Sequence, residues 1–567
     1  MKRFALACAL AGLAAAGLAA HQQPPGIPEA LRIQAKDPAA AAKILEGVVE
    51  REPKNARAWR LLGVALQQSK QFDRAIDASM KALALGPDPI STYNIGTAYA
   101  RKNDPDKAFE WLAKAKASRF DMTQMQVDTD LEPLRKDPRY LALLPKKKDF
   151  ENPFVEETKI LGEWHGEAMN DQFGWIARDI GDVDKDGVHD FTTSAPTSSV
   201  AGQNAGRIYV YSTKTRKLLW KADGAAGDRL GTTLEAAGDV NADGTPDVVA
   251  TGGGRVIVYS GRDGVILQTI TSPGALPLRA VSTAGDVNRD GHADILAGAT
   301  PPPPGQGGKP APAAPGAAYV FSGKDGSLLL TLEGEREGDN FGSAVAGDSD
   351  GRRILLIVGA PAAGTRKSGR TYVHTSLSKT PAYVIEADET GVALGAMFVA
   401  AAGDVDKDGT SDVYASDFTN RAKGPSTGRV YVHSGKDGSQ LLTLTGEGPG
   451  EGFGTSASVA GDLDGDGHAD LAVGAWQYAG AAPSGGRIYL YSGKDGKLLR
   501  TITCRIPGDT LGFDSVGIGD TDGDGTVDLL LTSAYSGING YHSGRVFIVS
   551  SGLKTSRPPR APAPKAR

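Results

Sequence analysis

Cysteine is almost missing. The 567-residue chain has two, Cys8 and Cys504, so no disulfide framework can hold it together. Histidine is scarce at eight residues, and aromatics make up 7%. Positive charge is not in excess: 62 Lys and Arg stand against 67 Asp and Glu, a net −5. That balance argues against a nucleic-acid partner bound through a globally basic surface. Beyond the N-terminus no apolar run is long enough to cross a bilayer, so no transmembrane segment is expected once a leader is removed.

The N-terminus reads as that leader. Lys2 and Arg3 precede an apolar run from Phe4 to Leu18, and Gly17 and Ala19 are the small pair of a cut after Ala19. Residues 1–19 are therefore expected to be a signal peptide, with the mature chain secreted, periplasmic or on the cell surface. Too little apolar chain precedes Cys8 for a lipid-attachment cysteine. Cys8 leaves with the leader and Cys504 remains alone, so an exported chain needs some other staple.

What the sequence does have is repetition, of two kinds. Residues 28–145 are rich in Ala, Leu and Lys with helical periodicity. Gly63 and Gly96, Ala75 and Ala108, and Ala82 and Ala115 are each 33 residues apart. Small residues at that period resemble tetratricopeptide repeats, in which helix pairs approach closely. Residues 39–53 read as half of an earlier hairpin, and 131–144 as one closing helix. Such a module offers a groove for a possible peptide partner, or serves as a packing spacer.

From residue 155 to 553 the composition shifts to Gly, Asp, Val and Tyr. "GDVDKDGVHD" begins at Gly181, and copies begin at Gly238, Gly285, Gly403, Gly461 and Gly519, with a worn "GDSDGRRILL" at Gly347. Upstream lies an aromatic-glycine step, such as "QFGW" at 172, "NFGS" at 340 and "GFGT" at 452; the third unit lacks it. Downstream come an apolar segment, an alternating strand such as "GRIYVYS" at 206, a tight "GKDG" turn and a last strand. Four short strands per unit, seven times, predict a mainly β chain: a seven-bladed β-propeller of four-stranded blades behind a small all-α tetratricopeptide-like domain. The last unit stops after its third strand, and "KILGEWHGE" at 159–167 reads as the missing fourth. The ring is thus expected to be latched by its own N-terminal strand.

These three submotifs in fixed order resemble the FG-GAP repeats of integrin α-chain propellers. The resemblance implies a calcium-stabilised propeller used in binding or adhesion.

The acidic loops carry calcium-type ligands at alternate positions around a sharp-turning Gly. The proposed oxygens are Asp182, Asp184, Asp186 and Asp190; Asp239, Asn241, Asp243 and Asp247; Asp286, Asn288, Asp290 and Asp294; Asp404, Asp406, Asp408 and Asp412; Asp462, Asp464, Asp466 and Asp470; and Asp520, Asp522, Asp524 and Asp528. This gives about six Ca²⁺ sites, weaker where Asn replaces Asp. The terminal acid comes three residues after the Gly and strands flank the loop, unlike an EF-hand. Metal-free acidic turns are the competing reading, but carboxylates so crowded repel by about 1–4 kcal/mol per pair.

No catalytic set is apparent. His189, His292 and His468 sit in the loops, and His374 and His433 take the strand position of Tyr211 and Tyr491. The chain reads as a binding or adhesion module, not an enzyme. A hydrolase or lyase with its site on the face opposite the calcium loops, and a structural assembly component, are the alternatives. A protein or glycan ligand is expected on that face, whose loops vary most between blades. Trp476, Tyr478, Phe418, Arg421, Tyr535 and Tyr541 are its candidate contacts. The basic, Pro-rich residues 554–567 read as a disordered tail.

Overall fold

A computed structural model describes residues 26–302, 314–349, 352–456 and 459–553. The leader 1–19 and the tail 554–567 lie outside them. The chain forms two compact units, divided after Lys146.

The first unit is all helical. Helices Pro38–Arg51, Ala56–Gln68, Pro89–Arg101 and Pro105–Ala117 are each started by a side chain, Asp37, Asn55, Asp88 or Asp104, that accepts a first-turn amide. Three of the four also have Pro in the first turn, whose missing N–H is no loss there. Ile27–Gln34 completes the first hairpin and Phe72–Leu85 the second. The period-33 residues lie where helices meet: Ala75, Ala82, Ala108 and Ala115 are buried. A Cβ on Gly96 would stand 2.9 Å from Leu112, and one on Gly63 2.6 Å from Ser79. The single closing helix expected over 131–144 is instead two pieces, a 3-10 turn Thr129–Leu134 and a helix Pro138–Leu143. Asp137 and Pro138 cause the break, because the residue before proline is disfavoured in helix and Asp137 caps the new one.

The second unit is the seven-bladed propeller. Six sheets have four strands, and the sixth blade has three strands assigned among the described residues, Leu471–Ala475, Arg487–Tyr491 and Leu498–Thr503. In the first blade, Ala177–Gly181 is innermost, followed outwards by Asp190–Ala195, Arg207–Tyr211 and Leu218–Asp223. The second strand is buried along its whole length, because neighbouring blades cover both its faces, and it therefore reads as an apolar run rather than an alternating one.

The latch forms as expected. Strand Ile160–His165 pairs antiparallel with Arg545–Ser550, Trp164 opposite Val546. The chain leading to it also covers an edge: Phe154 bridges to Cys504, and Glu156 accepts from Thr501 and Thr503 on the outer strand of the sixth blade.

The repeated submotifs interlock. Phe173 pairs with Gly544, Leu230 with Gly206, Phe341 with Gly316, Leu394 with Gly369 and Leu511 with Gly486. Each aromatic-glycine step thus clips onto the glycine that opens the third strand of the preceding blade. Only glycine fits there: Gly206 has φ +77, and a Cβ would sit 2.2 Å from the Leu230 nitrogen. Where the step is missing, Leu278 donates to Gly254 instead.

Candidate metal centres and the opposite face

Each acidic loop joins the first and second strands of a blade. Gly181, at φ +72, ends the inner strand in a bulge opposite Asp190. The chain then folds around its own carboxylates. Asp182 accepts from the Asp186 and Gly187 amides, both at 2.9 Å, and Asp184 from Asp186 at 3.1 Å. Asp190 is fully buried and ties the loop down, taking the Val183 amide at 3.0 Å and the Thr213 amide at 3.1 Å. Asp247, Asp294, Asp412 and Asp470 likewise accept from Gly261, Gly323, Gly435 and Gly493. The turn between strands three and four therefore lies against the acidic loop, on the same face.

In four loops three carboxylates bring an oxygen within 4.8 Å of one another: Asp182, Asp184 and Asp190; Asp404, Asp406 and Asp412; Asp462, Asp464 and Asp470; Asp520, Asp522 and Asp528. The third acid of each loop stays out of these groups. Asp408 faces Lys436 and Asp466 faces Lys494, cations of the strand-three turn, while Asp243 in the second blade faces Arg262. In the two Asn loops, Asn241 and Asn288 turn their amide nitrogens toward Asp243 and Asp290. A divalent cation fits three of the four groups on a further count. Asp404 Oδ1, Asp462 Oδ1 and Asp528 Oδ1 are buried with no hydrogen-bond partner, a cost that a bound cation would remove. In the worn fourth copy, Gly347 pairs with Leu356, as Gly181 does with Asp190, so an apolar residue replaces the terminal acid.

Known families match the same stretches. A description of FG-GAP-like repeats matches residues 239–297, one of FG-GAP repeats residues 179–211 and 453–491, and one of tetratricopeptide repeats residues 32–94. FG-GAP repeats are thus matched in the first, second, third and sixth blades. Integrin alpha-4 of Xenopus laevis is 33% identical over 186 residues, 30% of this chain and 18% of that protein. Integrin alpha-E of Homo sapiens is 32% identical over 171 residues, 27% of this chain and 14% of that protein. Integrin alpha-PS5 of Drosophila melanogaster is 29% identical over 119 residues, covering 19% and 12%. The matches thus span less than a fifth of each relative.

The FG-GAP loops are also where carboxylates titrate abnormally. Burial pushes Asp190 up to about 7, and Asp247, Asp294, Asp412, Asp470 and Asp528 up to about 6, against the backbone amides that favour the ionised form. Neighbouring loops are linked as well. His292 donates to the Val240 carbonyl and His468 to that of Val405, both at 2.7 Å, so these histidines join blades.

On the opposite face the six expected contacts divide. Tyr541 is buried and stacked on His542 at 3.6 Å, Tyr478 lies under Arg487 at 3.8 Å, and Phe418 packs against Phe398. These three anchor their loops, and Arg421 is exposed. Trp476 and Tyr535 instead join an aromatic cluster that includes Trp175 and Phe513. Ring centroids lie 4.5 Å apart for Trp175–Phe513, 5.6 Å for Trp476–Phe513 and 5.9 Å for Trp476–Tyr535. Trp175 and Phe513 are the residues just after the glycine of the aromatic-glycine step, a position the repeat register marks once blades are superposed. Among the described residues no helix is long and apolar enough to cross a membrane.

Proposed function

We propose that this chain is an exported propeller, stabilised by about six calcium ions, that acts as a protein-binding or adhesion module. The observation that carries the metal assignment is the convergence of three carboxylates in four loops, with Asp404 Oδ1, Asp462 Oδ1 and Asp528 Oδ1 buried and unpartnered. Oxygen ligands of this hardness and charge suit Ca²⁺. Asp182, Asp184 and Asp190, and their equivalents, would hold the ion; the ion would neutralise their repulsion and fix the loop between strands. The similarity to integrin α-chains supports the binding role, and the loop-rich face opposite the metal centres is assigned to the ligand. The helical unit is assigned a spacer role. Its own Asp130 is held by Gln67 at 2.8 Å and lies 3.5 Å from Arg101, and Asp128 is held by Tyr93, so polar side chains of its helices are already engaged. Export rests on residues 1–19.

Metal analysis of protein purified in calcium tests the first half, with about six Ca²⁺ per chain expected; finding none would sink it. Pull-down from envelope extracts with and without chelator tests the second. Proteins captured only with calcium are the expected result, and capture of glycans alone would redirect the ligand assignment.

A further inference from the structure

We infer that the mouth of the propeller's central channel, on the face opposite the acidic loops, receives an acidic side chain of a protein partner, held by Arg229 and Arg279 beside the Trp175–Phe513–Trp476–Tyr535 wall. This deepens the binding-module reading and rests on it.

Register places these residues. Trp175, Thr232, Arg279 and Phe513 each stand six residues before the glycine that ends their inner strand, Gly181, Gly238, Gly285 and Gly519. The inner strands run from that end into the acidic loops, so all four residues ring the far opening of the channel. Local hydrogen bonds tie the Arg229 backbone to the aromatic wall. Trp175 Nε1 donates to the Thr232 carbonyl at 3.2 Å, and Thr232 Oγ1 donates to the Arg229 carbonyl at 2.8 Å. Thr233 Oγ1, next to Thr232, donates to the Arg279 carbonyl at 3.4 Å, and Arg229 and Arg279 are close enough to repel each other, with Tyr535 also within electrostatic reach of Arg229.

Their charge is left over. Deeper in the channel, Glu235 and Asp514 are both taken by Arg178, through Nε at 2.6 Å and through Nη1. Arg229 and Arg279 are half-buried, and among the described residues neither guanidinium has an ion pair or a hydrogen bond. Burial lowers both below the ordinary arginine value without a compensating anion. A guanidinium pair desolvated in this way is costly alone and is relieved by a carboxylate, which can take two parallel N–H donors. The aromatic wall gives the apolar flank of the same peptide a surface to cover. Positive charge beside aromatics therefore selects an acidic residue next to an apolar one.

The test uses the full chain with calcium on an array of immobilised peptides. Each peptide carries Asp or Glu beside Leu or Phe, and is paired with its Asn or Gln counterpart. Retention of the acid form at least tenfold above the amide form is expected. Arg229→Gln with Arg279→Gln should abolish the preference at unchanged calcium content, and Arg229→Glu with Arg279→Glu should turn it toward Lys and Arg peptides. Equal retention of acid and amide forms would overturn the inference, as would a preference that survives both double variants. If binding is blind to acid but falls in Arg421→Gln, the inference fails while the binding-module reading stands. Retention of uronic-acid glycans in place of every peptide would overturn the protein partner, and no retention of either would count against both readings.

Discussion

The helical unit and the propeller solve the same problem with opposite chemistry. In the helical unit each carboxylate at a helix start has its own backbone partner, as Asp37 accepts from Ala40 and Asp104 from Lys107. Between helices, buried alanines and glycines do the rest. In the propeller's acidic loops the carboxylates crowd one another, and three of them hold a buried oxygen with no partner. The first design is complete within the chain; the second is complete only with cations. Chelation should therefore separate the two units more sharply than any other treatment. With EDTA, the unfolding transition followed by near-UV signals of the propeller is expected to fall steeply, while the helical signal at 222 nm keeps its midpoint. At calcium a hundredfold above Kd each site contributes about 2.7 kcal/mol, so about six sites dominate the propeller's stability. Equal shifts in both transitions would erase the contrast.

A second way to sharpen it is pH. The six terminal carboxylates have folded-state values raised to about 6 or 7, above the unfolded value. The folded state then binds protons more tightly than the unfolded state. In chelator, propeller stability should fall as pH rises from about 4 through about 7, by at most about 1.4 kcal/mol per pH unit for each carboxylate. With saturating calcium the trend should reverse, because the ion needs the ionised form. Thermal melts at pH 4.5, 6 and 7.5, with and without calcium, check both signs.

Much of this contrast was legible in the sequence. Period-33 glycines and alanines mark helix contacts because only a missing side chain permits close approach, and that constraint is local. The loops were legible because metal-type ligand spacing is a property of a dozen consecutive residues. Three features were not. The break at Asp137–Pro138 is hidden when a run of leucines keeps helical spacing across it. The ties from Asp190 to Thr213, and from Asp470 to Gly493, span 23 residues and carry no motif of their own. The cluster of Trp175, Phe513, Trp476 and Tyr535 draws on the first, sixth and seventh blades, which only ring closure brings together. A reading one blade at a time sees Trp476 and Tyr535 as loop aromatics and passes over Trp175 and Phe513.

Within the propeller, the loops should rank by charge. Asp462→Ala removes a ligand from a fully acidic loop and is expected to lose one calcium, at a cost of about 2–3 kcal/mol in millimolar calcium. Asp239→Ala acts in a loop where Asn241 already replaces one acid, so a weaker ion is lost and the cost should be about half. Metal analysis and melts of the two variants at one calcium concentration check the ranking; equal costs would show that Asn241 is as good a ligand as Asp464.

The smallest effect tests the other side, where packing alone should decide. Gly47→Ala and Gly96→Ala make the same chemical change inside helices of the first unit. At Gly47, half-exposed, an added Cβ meets the end of the flexible Arg51 side chain at 3.2 Å, which can swing away. The intrinsic preference of helix for alanine then prevails, a gain of about 0.5–1 kcal/mol. At Gly96, buried, the same Cβ falls 2.9 Å from Leu112 Cγ and 3.2 Å from its backbone nitrogen, so two helices must part. Overpacking of that kind costs about 1–3 kcal/mol, which outweighs the propensity gain and leaves a net loss of about 1 kcal/mol. The 222 nm transition should rise for one variant and fall for the other, with calcium content and the propeller transition unchanged in both. A stabilised Gly96→Ala would mean that the period-33 glycine reflects something other than close helix packing.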